Sequence, residues 1–377
     1  MPSAFLFELD HPNGVYYSGQ TINGIIKLTT TQEKQVRNVR IVLLGQGKAK
    51  WDESYTSTDS RGNNTTTVIY YRSDEVYVNN ETLVRGEGML PVGLHTYTFS
   101  VTLPAQCPTS CKGTYGHIRY GISLILNRVL RFDNVYHIPL TVLQTVDLNL
   151  NPVFKVPLLT EDNASVGCWP CAGGDIKYSL RTPFGAYTPG QVVKYALDIQ
   201  NQSMASSKGY EMQFIQKMTF TATTPRRAQR QTKITLIKQE SSENCLRLTN
   251  RIFEKEFRIP PVSPTTDASF VIHVEYKLKI TIFMSGCHKS RHISLPIFIG
   301  NIPLRESLKI SESVLPTASE MQIPSPVASS PELPSSYYDI KPPSYAAALQ
   351  SGSPFVDDDV DKHHRVVGFR PLYPMYS

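Results

Sequence analysis

Two β-sandwiches in tandem, followed by an extended tail, are the all-β architecture this sequence predicts. Three observations carry that reading. Short runs rich in β-branched and aromatic residues recur about every ten residues through the first 300 positions. Gly, Pro, Asn and Asp turn residues separate them, as in His11-Pro-Asn-Gly14 and Leu90-Pro-Val-Gly93. Beyond residue 310 the composition changes, with 7 Pro and 9 Ser among residues 311–350.

The first unit holds strand candidates at Phe5–Leu9, Gly24–Thr29, Val36–Leu44, Thr66–Tyr71, His95–Leu103, Ile118–Leu126 and Ile138–Leu143. His95–Leu103 alternates apolar and polar residues, the pattern of a half-buried strand. The pattern resumes after residue 170, at Gly174–Leu180, Val192–Ile199, Gln213–Ala222, Thr232–Ile237, Phe253–Ile259, Phe270–Ile280 and Ile293–Ile299. Some 300 residues exceed one ordinary sandwich of roughly 100 residues, so two are expected. The polar, proline-ended stretch Asp147-Leu-Asn-Leu-Asn-Pro152 marks the joint. The boundaries expected are 1–149, 150–305 and a disordered tail over 306–377.

Charge follows the same divisions. The net +6 resolves into +1 over 1–150, +9 over 151–310 and −4 over 311–377. The second unit therefore suits anionic partners. No apolar run is long enough to span a bilayer, and the first residues lack a basic leader. Six cysteines are too few for a disulfide scaffold of this length, which points to a reducing, cytoplasmic setting.

Chemistry-bearing motifs are scarce. Gly45-Gln-Gly47-Lys48 lacks the spacing of a phosphate loop, and neither a His-Glu-x-x-His nor a Gly-x-Ser-x-Gly pattern occurs. No enzyme activity and no cofactor are expected. Cys168-Trp-Pro-Cys171 has the spacing of a redox dithiol or half a zinc site. A redox pair belongs at a helix N-terminus, and these flanks lead into a strand, so loop or buried thiols are the simpler expectation. The densest basic run is Arg226, Arg227 and Arg230 with Lys233. Without stacking aromatics or an insertable element it does not fit nucleic acid. It reads as a solvated hairpin loop or as a contact for anionic lipid or phosphorylated cargo.

The tail carries the sharpest motif, Pro342-Pro343-Ser344-Tyr345. Two prolines pre-order a polyproline II ridge that aromatic-lined grooves of WW domains accept. Tyr345 adds a flat ring and a hydroxyl. A partial second copy, Arg370-Pro371-Leu372-Tyr373, keeps one proline only, which would limit bivalent binding.

Taken together, these stretches resemble the alpha-arrestins, the arrestin domain-containing family. The likeness rests on Tyr16-Tyr-Ser-Gly-Gln20, Gly45, Trp51, Leu90–Phe99, Leu103–Ser110, Gly113–Tyr120 and Asp147-Leu-Asn149. In the second unit it rests on Cys168 and Cys171, Gly174, Tyr187-Thr-Pro-Gly190, Asn201-Gln-Ser203 and His292–Leu304. It implies that the two domains engage cytoplasmic regions of membrane receptors or transporters. It further implies that the tail recruits a HECT-type ubiquitin ligase through WW domains, marking cargo for endocytosis and sorting. Recruitment to plasma membrane and endosomes follows from that reading. A ligase-independent trafficking scaffold and a zinc or redox protein centred on Cys168 and Cys171 are the alternatives. Under the resemblance, Trp51, Tyr115 and Tyr120 are packing residues.

Overall fold

The computed structural model describes residues 4–166, 173–266, 268–286, 288–305, 343–347 and 370–376. Cys168, Cys171 and Pro342 lie outside the described residues.

The first domain contains β1 (Ala4–Leu9), β2 (Val15–Tyr17), β3 (Thr21–Thr30), β4 (Lys34–Thr58), β5 (Asn64–Arg85), β6 (Gly88–Leu90), β7 (Gly93–Thr102), β8 (Cys111–Gly113), β9 (Gly116–Arg128) and β10 (Asn134–Leu143). One antiparallel sheet runs β1-β3-β7, and a larger one runs β2-β10-β9-β4-β5 with β6 and β8 at its margins. Alternation decides which faces meet. Ile22, Ile26 and Leu28 of β3 are buried, as are Val39, Ile41 and Leu43 of β4.

The second domain contains β11 (Leu158–Val166), β12 (Gly174–Thr182), β13 (Ala186–Tyr187), β14 (Val192–Asn201), β15 (Ser207–Ala222), β16 (Ala228–Ser241), β17 (Thr249–Arg258), β18 (Ile272–Met284) and β19 (Arg291–Ile299). Its sheets run β11-β12-β14-β17 and β13-β19-β18-β15-β16. Every strand expected from sequence is present. Two differences are informative. The strands β4 and β5 run 25 and 22 residues, because a Thr- and Asn-rich hairpin continues the ladder past the apolar segment. β11, with Glu-Asp-Asn at its centre, carries little apolar signal and is recruited by pairing with β12 along nine positions.

Both domains share one edge device. Short β2 runs parallel to the end of β10, pairing Val15 with Thr141 and Tyr17 with Leu143. Short β13 runs parallel to the end of β19, pairing Ala186 with Phe298 and Tyr187 with Ile299. A glycine turn follows each: Ser18-Gly19-Gln20 in the first, Thr188-Pro-Gly-Gln191 in the second. In both, the glutamine side-chain oxygen accepts a backbone N–H, from Tyr17 at 2.7 Å and from Thr188 at 2.9 Å.

Two further strands lie in the tail, β20 (Ser344–Ala347) and β21 (Leu372–Met375), paired antiparallel with each other.

Candidate functional site at the interdomain seam

After β10 come two single-turn 3-10 segments, Leu148–Leu150 and Pro152–Lys155, capped by the Asp147 and Asn151 side chains. Asn301, fully buried, ties the exits of β10 and β19 together. Its Oδ1 accepts the Val146 N–H at 2.7 Å, and its Nδ2 donates to the Gln144 carbonyl at 2.6 Å. Asn149 adds a bond from Nδ2 to the Pro303 carbonyl at 2.8 Å. These are backbone-directed bonds between neutral groups, so they fix register without a charge to desolvate.

Elsewhere along the seam Arg226 and Arg227 lie in the hairpin turn between β15 and β16, and Arg230 and Lys233 lie on β16 itself. Arg72 and Thr224 exchange backbone hydrogen bonds there. Arg226 donates to the Tyr71 hydroxyl at 3.3 Å. Arg230 donates to the Asp52 carbonyl at 3.2 Å, with its guanidinium 4.5 Å from the Tyr115 ring centre. Tyr115 meets Phe220 edge-on at 5.7 Å. Arg226 and Arg230 therefore reach the first domain, and Arg226, Arg227 and Lys233 are exposed. Strand pairing sets Lys233 opposite Lys217, which is ion-paired to Glu275 at 2.7 Å, and both lie near Lys277. Burial pulls the Lys277 pKa below the usual lysine range, and Lys233, Lys279 and Lys217 push it the same way. This lysine convergence comes from three strands and is invisible as a linear run.

Trp51 is buried and stacks on Tyr71 at 5.4 Å, and the Tyr120 hydroxyl donates to the Pro108 carbonyl at 2.8 Å. Both act as packing residues. Burial pushes the Cys111 thiol up to about 12, the state of an inert core sulfur. Among the described residues no cluster of three metal-ligating side chains occurs.

The tail residues meet the seam. Tyr373 is 1% exposed, packs against Val15 and Leu143, and donates to the Ser110 carbonyl at 2.9 Å. Pro371 is buried, and the Leu372 N–H donates to Thr141 Oγ1 at 3.2 Å. Three residues on, the Tyr376 N–H donates to the Pro189 carbonyl at 3.0 Å and its hydroxyl to the Asn301 carbonyl at 2.6 Å. One short segment thus binds the first domain through Tyr373 and the second through Tyr376. Tyr345 of the Pro-Pro-Ser-Tyr motif pairs with Pro374 across the β20–β21 ladder. Its ring joins Tyr17 and Leu372 at the edge of the same small cluster. Burial raises the Tyr17 pKa, and the neighbouring Tyr345 and Tyr376 add to it. Truncating a ring as buried as Tyr373 typically costs about 3–5 kcal/mol, so this docking is a substantial contact.

The sequence model described as "Arrestin (or S-antigen), N-terminal domain" matches residues 5–149, and that described as "Arrestin (or S-antigen), C-terminal domain" matches residues 172–304. The chain belongs to the alpha-arrestin family. It is 25% identical to "Arrestin domain-containing protein 17" of Caenorhabditis elegans over 81% of this chain and 72% of that protein. It is 28% identical to human "Arrestin domain-containing protein 4", covering 79% and 71%, and 23% identical to human "Arrestin domain-containing protein 5", covering 82% and 91%. Arrestin-family proteins are in general non-enzymatic adaptors that bind receptors and trafficking machinery, and an arrestin-like trafficking adaptor is the role these relatives support. Among the described residues of this alpha-arrestin no helix is long and apolar enough to cross a membrane.

Proposed function

We propose that this alpha-arrestin links membrane receptors or transporters to a HECT-type ubiquitin ligase, promoting cargo ubiquitination, endocytosis and sorting. The observation that carries this reading is the combination of a tandem arrestin body with Pro342-Pro343-Ser344-Tyr345 on a tail behind it. The body supplies cargo contact and the motif supplies the ligase, so the chain acts by proximity and forms no thioester. Its site of work is the cytoplasmic face of the plasma membrane and endosomes.

Titrating the recombinant WW domains of a HECT-type ligase against the full chain and its Tyr345→Ala variant tests this. The variant should lose binding at least about tenfold while its unfolding curve is unchanged. Undiminished binding rejects Tyr345 as the ligand. Normal cargo sorting by Tyr345→Ala in cells would favour a ligase-independent scaffold instead.

The lysine face of the second domain supports peripheral contact with anionic membrane, through Lys233, Lys277 and Lys279 with the exposed Arg227. Each cation near such a surface contributes about 1 kcal/mol. Co-sedimentation with vesicles containing phosphatidylserine should fall for the Lys233→Glu/Lys279→Glu double variant. Equal sedimentation excludes this face.

A further inference from the structure

We propose that the segment Pro371–Tyr376 is a strap seated in a docking groove across the interdomain seam, and that its docking withholds the Pro-Pro-Ser-Tyr ligand from WW domains. What the strap withholds rests on the WW reading above; the groove does not.

The groove is built by both domains. Val15, Leu143 and the Ser110 carbonyl receive Tyr373. The Pro189 and Asn301 carbonyls receive Tyr376. Ser263 and Tyr276 of the second domain also lie close to Tyr373, so its ring sits where the domains meet. Gly190 completes the fit. A Cβ there would lie 2.1 Å from the Tyr376 carbonyl oxygen and 2.8 Å from its nitrogen. No side chain is compatible with the strap in that position.

The strap's outer edge then holds the ligand. Ser344, Tyr345, Ala346 and Ala347 pair with Met375, Pro374, Tyr373 and Leu372. The Ser344 hydroxyl donates to the Met375 carbonyl at 3.4 Å, and Tyr345 packs on the Val15, Leu143 and Tyr373 cluster beside Tyr17. A WW groove needs the same segment as a free polyproline II ridge with the tyrosine ring available on it. A segment cannot occupy the ladder and a WW groove together. Binding must therefore draw on the fraction of chains in which β20 has left β21, and apparent affinity falls by that fraction. Whatever displaces the strap by entering the groove raises that fraction.

The test has two independent arms. In the first, the WW domains are titrated against the full chain, its Tyr373→Ala variant and a synthetic peptide of residues 338–349. The peptide should bind about tenfold or more tightly than the full chain, and Tyr373→Ala should recover most of that difference. Full chain and peptide binding alike would overturn the masking. In the second arm no ligase is present. Amide hydrogen exchange of the full chain should show the Ser344 and Ala346 amides protected, since the antiparallel register turns these toward Met375 and Tyr373, with protection lost in Tyr373→Ala and in a chain ending at residue 369. Unprotected amides in the parent would overturn the strap itself. A peptide that fails to bind while the amides are protected defeats the WW reading and leaves the groove standing. A chain ending at 369 that keeps one cooperative unfolding transition shows that lost protection reports undocking and not unfolding.

Discussion

The two domains carry the same edge turn, and only one of the two is sealed. Gly19 and Gly190 occupy equivalent places after β2 and β13, with φ of +85° and +92°. A Cβ at Gly19 would meet nothing closer than the Ala105 Cα at 3.8 Å, whereas at Gly190 it would meet the Tyr376 backbone. The same backbone conformation therefore answers to different constraints. At Gly19 glycine satisfies the turn alone. At Gly190 it satisfies the turn and the approach of another piece of chain. Tail docking also links the two turns, because Tyr345 lies against Tyr17 beside the first while Tyr376 lies against the second. The repeated edge of a duplicated sandwich has become a two-point mooring.

The largest expected effect lies where the two edges converge. Asn301 holds Val146 and Gln144 with its side chain and receives Tyr376 on its carbonyl. Asn301→Ala leaves a backbone N–H and a carbonyl without these partners, at about 1–3 kcal/mol for each one left unsatisfied. Denaturant unfolding of the full chain should show a loss of about 3 kcal/mol. Asn301→Asp separates bonding from volume: it keeps the acceptor for Val146 but sets a carboxylate against the Gln144 carbonyl, so it should be no better than Ala. A loss below about 1 kcal/mol in Ala would mean that the seam is held elsewhere, with Arg230 and Tyr115 the next place to look.

Much of this was legible in the sequence, and what was not has a physical reason. The strands were readable because β-branched alternation survives in β3, β7, β14 and β18. The polar residues of the expected joint are there to bond: Asp147, Asn149 and Asn151 each cap a turn or cross the seam. β11 was missed because its apolar content is low and a neighbour's ladder recruits it. The roles of Arg226 and Arg230 were half visible. Their charge was plain, but a linear run does not show that the turn folds back onto Tyr71 and Tyr115. The tail is the instructive case. Proline and serine content predicts an extended segment that keeps Tyr345 free of other structure, yet Tyr345 stands paired on β21. The signal for this was present in Leu372, Tyr373, Met375 and Tyr376, a density of apolar and aromatic residues that a solvated tail does not need. Nothing in a sequence says which groove such residues fill, because the groove is assembled from residues near 15, 110, 143, 189 and 301.

The smaller prediction is also the sharper one, because it compares like with like. Gly19→Ala and Gly190→Ala impose the same left-handed strain on a residue with a Cβ, about 1–2 kcal/mol. If the turns differed only by sequence context, the two variants would unfold alike. The tail adds a second cost at Gly190, since the new methyl and Tyr376 cannot share the site. In the full chain Gly190→Ala should therefore strip exchange protection from the tail strands, while Gly19→Ala leaves it intact. In a chain ending at residue 369 the difference should vanish, leaving both variants with the strain alone. That closes a double-mutant cycle between a residue and a segment, and its interaction free energy measures the coupling between Gly190 and the docked segment beyond residue 369. A difference that persists after the tail is removed would place the constraint on Gly190 within the second domain and break the asymmetry drawn between the two edges.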